Sequence, residues 1–341
     1  RYWRDWSSDV CSSDLSMASR PAFHPERLES VDERAWKNLA VSAVFEPGST
    51  FKPMITGWAL ERGCLQRDEQ IDCSYGVYRM GPRVLHDHHS YGRLSVTDVL
   101  VKSSNIGMAK IGEKLGLDQL YEGVRSFGFG RLTGIELPGE LPGIVHPRAD
   151  WTIYSLGSIP MGQELAVTPL QLLTAHAALA NGGQLRRPTL LRRSLQPELA
   201  TADTATVAAG EAVDSLLLSR ETAEWLVREP MRQVVERGTA KAARLPGISL
   251  FGKTGTAQKL DPETGTYSDR AWVVSFVCGA PAEAPRVVVL VMVDEPTAPG
   301  IHYGGTVAAP TAARLTAIAE QRVAELGLPA STESTRISQK P

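Results

Sequence analysis

Three segments in the last third of the chain read SLFGKTGTAQ at residues 249–258, AWVVSFVCG at 271–279 and RVVVLVMVD at 286–294. They are rich in Val, Phe and Trp, residue types that favour strands. The connections DPETG and APAEAP contain turn-forming residues, so each connection is a short break between strands. The pattern predicts an antiparallel meander of three strands.

Helix signals lie on both sides of this predicted sheet. Ser95-Val-Thr-Asp98 precedes an apolar run and has the form of a capping box at a helix start. Thr168-Pro169 reads as an N-cap followed by proline at the first helical position. Helices before the sheet and one helix after it indicate an α+β layered domain. We predict helices at residues 26–43, 52–60, 95–102, 106–115, 118–127, 169–180, 220–235 and 309–326, with a loop-rich region at 62–89.

The composition excludes several classes of protein. The 341 residues are 43% hydrophobic and 22% charged, which is enough apolar material for a core and excludes disorder over most of the chain. The net charge of −2 gives no reason to expect a nucleic-acid partner. The longest apolar run, 287–293, is far shorter than the ~20 residues of a membrane helix.

The two ends of the chain differ from the rest. Residues 1–15 read RYWRDWSSDVCSSDL, with no helical or strand period and no signal-peptide pattern. We interpret them as a library artefact joined to a truncated gene; a disordered native tail is the alternative. The domain then spans residues 16–328, and residues 329–341 form a second disordered tail.

A serine and a lysine lie three residues apart in Ser49-Thr-Phe-Lys52. Pro47-Gly48 predicts a turn, so we expect a helix to begin near Ser49. Positions three apart share a helix face, which brings the Lys52 ammonium within reach of the Ser49 hydroxyl. A serine needs a nearby base to act as a nucleophile, and a lysine of lowered pKa can serve. Alone, this short motif is common in helices whose lysine is merely solvated.

Two further motifs can contribute to the same cleft. Ser103-Ser-Asn105 lies between two predicted helices, where Ser103 can relay a proton and Asn105 can hold a substrate carbonyl and orient Lys52. Taken alone, the Ser103–Asn105 segment also fits an ordinary turn between two helices.

The third motif is Lys253-Thr254-Gly255-Thr256 on the first predicted strand. If this is an edge strand, a ligand can add to it by main-chain hydrogen bonds, and Gly255 leaves room for that backbone. Lys253 supplies positive charge, while Thr254 and Thr256 supply hydroxyls for a carboxylate. The N–H groups of Thr256 and Ser49 can form an oxyanion hole. Taken alone, the segment also fits a surface strand with a solvated lysine.

In this order the three motifs are specific, and the chain resembles the penicillin-interacting serine acyl transferases. Ser-Ser-Asn in place of Ser-Asp-Asn fits penicillin-binding proteins better than class A β-lactamases. The similarity to class B penicillin-binding proteins, and most closely to the septal, division-type transpeptidase, extends over residues 16–314. Four further stretches support this similarity: FEPGSTFKP at 45–53, MGQELAVTP at 161–169, GTA at 238–240 and YGG at 303–305.

The resemblance implies a penicillin-binding-protein/β-lactamase-like transpeptidase fold, with an antiparallel sheet flanked by helices and an all-helical subdomain. It implies a peptidoglycan D,D-transpeptidase that works through a Ser49 acyl-enzyme and is inhibited by β-lactams. Lys52 is then the base, Ser103 the proton relay and Asn105 the substrate anchor. The terminal carboxylate of the stem peptide is held by Lys253, Thr254, Gly255 and Thr256.

The same resemblance implies a setting and partners. The enzyme would act outside the bacterial cytoplasmic membrane, on D-Ala-D-Ala stem peptides, beside division-complex membrane proteins that include a lipid-II glycosyltransferase. We expect no metal and no organic cofactor. The membrane anchor of the family is missing here, and we expect the sheet to lack a strand or two for the same reason.

Other interpretations stay open. A β-lactamase or D,D-carboxypeptidase uses the same motifs, although the stretch at Glu136 lacks the Glu-x-x-x-Asn pattern of class A lactamases. A non-catalytic β-lactam sensor is a third possibility. The cluster His86-Asp87-His88-His89 looks like a set of metal ligands, but adjacent histidines on one loop rarely converge on one ion. A Cys64–Cys73 disulfide is open as well.

Overall fold

The computed structural model describes residues 15–22, 33–190, 215–261, 264–297 and 302–325. Its centre is an antiparallel sheet of three strands, in the order β11-β10-β9. Val277 lies opposite Lys253 on one side and opposite Leu290 on the other. The predicted meander is confirmed: the first strand lies two residues later than its predicted segment, the second begins four residues earlier, and the third begins one residue later. The three strands are β9 (Phe251–Leu260), β10 (Tyr267–Ala280) and β11 (Val287–Asp294).

Each face of this sheet packs against helices. Phe276 and Cys278 of β10 join a cluster with alanines of the helix that follows the sheet, α10 (Ala309–Glu325). Val273 and Val277 alternate with them and belong to a larger cluster on the opposite face. The sheet is therefore the middle layer between two sets of helices, as expected for an α+β domain.

The helical part forms around α2 (Lys52–Glu61) and α4 (Asn105–Ser126). The two predicted helices at 106–115 and 118–127 are confirmed as the two halves of α4, which are separated at Gly116, where the backbone is not helical and φ is +70°. The predicted helix at 220–235 contains a π-helical segment, Val227–Met231, because Pro230 has no N–H to donate.

The predicted helix at 26–43 is wrong in its described part, residues 33–43. A 3₁₀ turn, Glu33–Trp36, is followed by a break, and a short helix begins at Leu39. The Asn38 side chain accepts a hydrogen bond from the Ala40 N–H, so it caps a new helix instead of continuing the old one. The expectations for residues 1–14 and 329–341 lie outside the described residues.

Short hairpins fill the region that the sequence marked as loop-rich. Strands of two to four residues pair antiparallel there, for example Val77 with His86 and Ile71 with Leu94. They are too short to give an alternating apolar pattern, which is why the sequence did not reveal them. The small strands are β1 (Gln70–Asp72), β2 (Val77–Met80), β3 (Arg83–His86), β4 (Arg93–Ser95), β5 (Ile144–Val145), β6 (Leu165–Ala166), β7 (Gln184–Leu185) and β8 (Ser215–Leu216).

The remaining helices complete the two layers. Among the helices described, none combines the length and the apolar composition needed to cross a lipid bilayer. They are α1 (Leu39–Ser42), α3 (Val96–Lys102), α5 (Ser155–Ser158), α6 (Pro169–Ala180), α7 (Arg220–Leu226), α8 (Arg232–Glu236) and α9 (Gly304–Val307).

Candidate active site

Ser49 lies in a 3₁₀ turn, Gly48–Phe51, that leads directly into α2. The sequence predicted a helix start at this residue, and the α-helix proper begins three residues later, at Lys52. The turn is anchored at both ends. Gly48 N–H donates to the Gly162 carbonyl at 3.0 Å. The buried His176 donates from Nε2 to the Thr50 carbonyl at 2.9 Å, and burial lowers the pKa of His176 to about 4, so this imidazole is neutral.

Lys52 is fully buried at the start of α2. Its Nζ lies 2.7 Å from the Ser103 carbonyl, 2.8 Å from Asn105 Oδ1 and 3.3 Å from Ser103 Oγ. Within the described residues the hydrogen bonds of Nζ go to the second motif, Ser103–Asn105, and none joins Nζ to the Ser49 hydroxyl. Burial lowers the Lys52 pKa to about 7, against a smaller opposing effect of the Asp87 carboxylate. A large fraction of this amine is therefore unprotonated at neutral pH.

The Ser103–Asn105 segment joins α3 to α4 and turns sharply. Ser103 ends α3 in the left-handed region, with φ of +59°, and Ser104 is the N-cap of α4. This reversal directs both the Ser103 carbonyl and its hydroxyl at the lysine amine. Asn105 accepts from Lys52 through Oδ1 and donates from Nδ2 to the His86 carbonyl at 3.2 Å. The side chain is therefore fixed in orientation from two sides.

Asp87 holds this turn in place, a role that the sequence did not reveal. Its carboxylate accepts from Ser104 Oγ at 2.6 Å and from the N–H groups of Asn105 and Ile106 at 2.5 and 3.1 Å. These N–H groups belong to the first turn of α4 and have no partner inside the helix. The aspartate sits in the His86–His89 cluster, and its neighbours Val77–His86 form a hairpin. Within this cluster, Asp87 therefore caps the start of α4. Among the described residues there is no group of three side chains placed to hold a metal ion.

Lys253 approaches the same hydroxyl from the sheet. It is fully buried on β9, and its Nζ donates to Ser103 Oγ at 2.9 Å and to the Thr254 carbonyl at 3.2 Å. Burial lowers its pKa well below the ordinary value, and the charge of Lys52 lowers it further. Ser103 Oγ thus lies between two buried amines, one from α2 and one from β9.

Gly255 allows the Ser49 turn to pack directly on β9. A Cβ at this position would lie 2.4 Å from Ser275 Oγ, 2.9 Å from the Pro47 carbonyl and 2.9 Å from Thr50 Cγ2. The sequence suggested that this glycine makes room for the backbone of a ligand. The structure shows that the chain's own 47–50 segment occupies that space.

The two faces of β9 carry different chemistry. Lys253 and Gly255 form what we call the amine face, toward the Ser49 turn. Thr254 and Thr256 form the hydroxyl face, because successive side chains of a strand point to opposite sides. β9 is an edge strand of the described sheet, as the sequence required, so both faces border the same open edge. The predicted oxyanion hole, built from the N–H groups of Ser49 and Thr256, stays a prediction.

The hydroxyl face has close neighbours from two other segments. Thr254 Oγ1 and Thr239 Oγ1 share a hydrogen bond of 2.7 Å, and Gly304 N–H donates to Thr256 Oγ1 at 3.1 Å. Thr239 and Gly304 belong to the GTA and YGG stretches. The sequence associated both stretches with the family without giving either a role.

The Glu46 carboxylate, just before the Ser49 turn, is hydrogen-bonded to two other segments. The Tyr267 hydroxyl donates to both oxygens of Glu46 at 3.0 Å, and Glu164 N–H donates to Glu46 at 2.9 Å. Burial raises the pKa of Glu46, and burial together with this carboxylate raises the pKa of Tyr267. Three segments distant in sequence are therefore tied together beside the turn.

The open question of a disulfide has a structural answer. Cys64 and Cys73 are both free thiols; Cys64 Sγ donates to Gln119 Oε1 at 3.0 Å, and Cys73 is buried. Burial raises the Cys73 pKa, which favours an inert thiol.

Comparison with known proteins agrees with this geometry. The family model described as the penicillin-binding protein transpeptidase domain matches residues 12–317. This chain belongs to that family. The structure superposes on the apo transpeptidase domain of penicillin-binding protein 3 from Burkholderia pseudomallei with a TM-score of 0.74. The two sequences are 29% identical, and the match covers 86% of this chain and 83% of that one. The α+β transpeptidase fold is thereby confirmed.

Other relatives of this transpeptidase domain are class B penicillin-binding proteins. Stage V sporulation protein D of Bacillus subtilis is 36% identical over 299 residues, covering 87% of this chain and 45% of that protein. PbpB of Mycobacterium tuberculosis is 33% identical, covering 87% and 44%. A structure of penicillin-binding protein 3 from that organism, in complex with aztreonam, has a TM-score of 0.71 at 32% identity, covering 86% and 65%. The chain spans less than half the length of these two curated relatives.

Proposed function

We propose that this chain is the catalytic domain of a peptidoglycan D,D-transpeptidase that forms an acyl-enzyme on Ser49. The observation that carries the proposal is the Ser103 hydroxyl, held at 2.9 Å from Lys253 Nζ and at 3.3 Å from Nζ of Lys52, the residue that begins the helix after the Ser49 turn. A hydroxyl between two amines of lowered pKa can take a proton from one group and pass it to another, which acyl transfer requires twice.

In the first step Ser49 Oγ attacks the carbonyl carbon between the two D-alanines of a donor stem peptide. The serine proton passes to the neutral Lys52 amine. The bond from carbonyl carbon to nitrogen breaks, and the leaving D-alanine takes a proton through Ser103. Asn105 keeps the Lys52 amine oriented, because its Oδ1 lies 2.8 Å from Nζ.

In the second step the amine of a neighbouring stem peptide attacks the ester. Its proton returns through the same groups to Ser49, and a new amide cross-links the two stems. The terminal carboxylate of the donor binds at the hydroxyl face of β9, formed by Thr254 and Thr256, while Lys253 acts on Ser103. Gly255 acts by letting the Ser49 turn approach β9.

β-Lactams resemble the D-Ala-D-Ala amide and should acylate Ser49. Penicillin-binding protein 3 of Mycobacterium tuberculosis, one of the similar structures, is complexed with the β-lactam aztreonam. The septal role, the location at the outer side of the bacterial cytoplasmic membrane, and partners including a lipid-II glycosyltransferase are part of this proposal. Co-purification of the complete gene product with division proteins from membranes tests that part.

Intact-mass measurement after incubation with penicillin tests the reaction. We expect a mass increase of one penicillin on the chain, lasting hours, and none on Ser49→Ala. Ser90→Ala, which removes an exposed hydroxyl that donates to the Tyr75 carbonyl, is the matched control and keeps the adduct. Labelling that persists in Ser49→Ala refutes the nucleophile. Rapid loss of the adduct favours a β-lactamase or carboxypeptidase, and a stable adduct without turnover of a stem-peptide thioester favours a sensor.

A further inference from the structure

Thr239 is an exposed residue that touches the hydroxyl face of β9. Its Oγ1 lies 2.7 Å from Oγ1 of Thr254, which is only 7% exposed. The turn that carries Thr239 follows α8 and lies 15 positions before Thr254. The hydroxyl therefore comes to the strand through tertiary packing, and its motif has no role in the reaction proposed so far.

The turn is pressed against β9 by the YGG stretch. A Cβ on Gly305 would lie 2.1 Å from the Thr239 carbonyl, and a Cβ on Gly304 would lie 2.3 Å from the carbonyls of Gly255 and Ser275. Contacts this close admit only glycine. The two glycines thus allow Thr239 to pack close to Thr254, so the hydroxyl pair is held in place by the packing of three segments.

Counting protons on the three hydroxyls shows what they can bind. Each threonine hydroxyl has one proton to donate. The bond between Thr239 and Thr254 uses one of their two protons, whichever residue donates. Thr256 Oγ1 accepts from Gly304 N–H, so its own proton stays available. The group therefore offers two O–H donors, which match the two oxygens of one carboxylate.

Burial indicates which residue of the pair offers its proton. Thr254 is nearly buried and Thr239 is exposed; when Thr254 donates to Thr239, the Thr239 proton is free to point toward a ligand at the surface. We propose that Thr239 is a substrate-binding residue: its hydroxyl and that of Thr256 donate to the donor's terminal carboxylate, and Thr254 orients Thr239. This inference rests on the proposed function, since it names a further residue for the same ligand group.

The test compares a penicillin with its methyl ester, which lacks the charged carboxylate but keeps the reactive amide. Thr239→Val keeps the shape of the side chain and removes the hydroxyl. We expect its second-order acylation rate constant to fall roughly tenfold or more for the acid, the usual cost of one hydrogen bond to a charged group, and to stay within about twofold for the ester. Thr239→Ser should restore the rate for the acid.

Thr264→Val is the matched control, because it breaks the analogous hydroxyl pair of Thr264 and Thr266, at 2.8 Å, in the β9–β10 hairpin. It should leave the ratio of acid to ester unchanged. Equal losses for acid and ester in Thr239→Val mean that the residue is only structural, and no loss for either means that it does not bind; both results overturn the inference. A wild-type chain that penicillin does not acylate overturns the proposed function as well.

Discussion

The amine face and the hydroxyl face of β9 are one residue apart in sequence and differ in almost every physical respect. Lys253 is fully buried, and its amine has a depressed pKa because the protein excludes water around it. Thr254 and Thr256 carry no charge and meet exposed or backbone groups of other segments. In the proposed reaction, the alternation of side chains along this one strand separates proton transfer from carboxylate recognition.

The largest expected effect comes from removing the amine of the buried face. Lys253→Met should lower acylation by roughly 10²–10⁴-fold, the usual range for loss of an acid–base group, because Ser103 Oγ loses its shorter amine contact. Since this amine contacts Ser103, we expect equal losses for a penicillin and its ester. A loss confined to the acid would show that Lys253 works in carboxylate binding, and the division between the two faces would fail.

A second substitution tests how tightly the amine face is packed. Gly255→Ala should lower the free energy of unfolding by roughly 1–3 kcal/mol, the usual cost of overpacking, because its Cβ collides with Ser275 Oγ and the Pro47 carbonyl. Urea unfolding measures the change. In the control Gly92→Ala the nearest atoms belong to the Tyr75 ring, at 3.5 Å or more, so stability should stay within about 0.5 kcal/mol. Equal stabilities in the two variants contradict the packing argument.

The two faces should also differ in their response to pH. Acylation needs neutral Lys52, whose pKa is about 7, so the rate should rise with pH to a plateau, with its midpoint near that value. The hydroxyl face does not titrate, and the ratio of rates for acid and ester should stay constant between about pH 6 and pH 8. Because the Asp87 carboxylate raises the Lys52 pKa, Asp87→Asn should move the midpoint to lower pH. A midpoint that moves upward would contradict this electrostatic assignment.

The smallest effect is expected beyond both faces, at Tyr267. Tyr267→Phe removes the hydroxyl that donates to both oxygens of Glu46 and should cost about 1 kcal/mol in the free energy of unfolding, since the residue is partly exposed. The acid-to-ester ratio should not change. Tyr75→Phe is the control, because that ring is 77% exposed. A larger loss at Tyr75 than at Tyr267 would show that the Glu46 contact does not stabilise the turn.

The parts of the fold that the sequence predicted are those governed by local pattern. The strands at 251–294 have long apolar runs between turn residues, and the helix at 169–180 has a complete capping box with Thr168 and Gln171. In the described part of the segment 26–43, residues 33–43, one continuous helix does not form, because the capping preference of Asn38 outweighs a helix-tolerant composition. The hairpins at 70–95 are determined by tertiary contacts that no local pattern records.

The same distinction holds at the site. The motif residues were found because their spacing is local, yet their partners come from distant segments. Asp87, His176 and Thr239 act through carboxylate, imidazole and hydroxyl contacts across 17, 126 and 15 positions of sequence. Only the presence of Asp87 and Thr239 in the HDHH and GTA stretches hinted at two of them. The contact of Lys52 with Ser103, in preference to Ser49, likewise depends on how α2 packs against the start of α4.

Two glycines from distant segments, Gly162 and Gly255, pack against the turn that begins at Gly48 and contains Ser49. A Cβ on Gly162 would lie 2.2 Å from the Gly48 carbonyl, and Gly48 itself has φ of +54°. A side chain at any of these three positions would displace the turn or strain its backbone. We therefore expect variants selected for slower acylation by β-lactams to carry their changes elsewhere in the domain and to keep these three glycines.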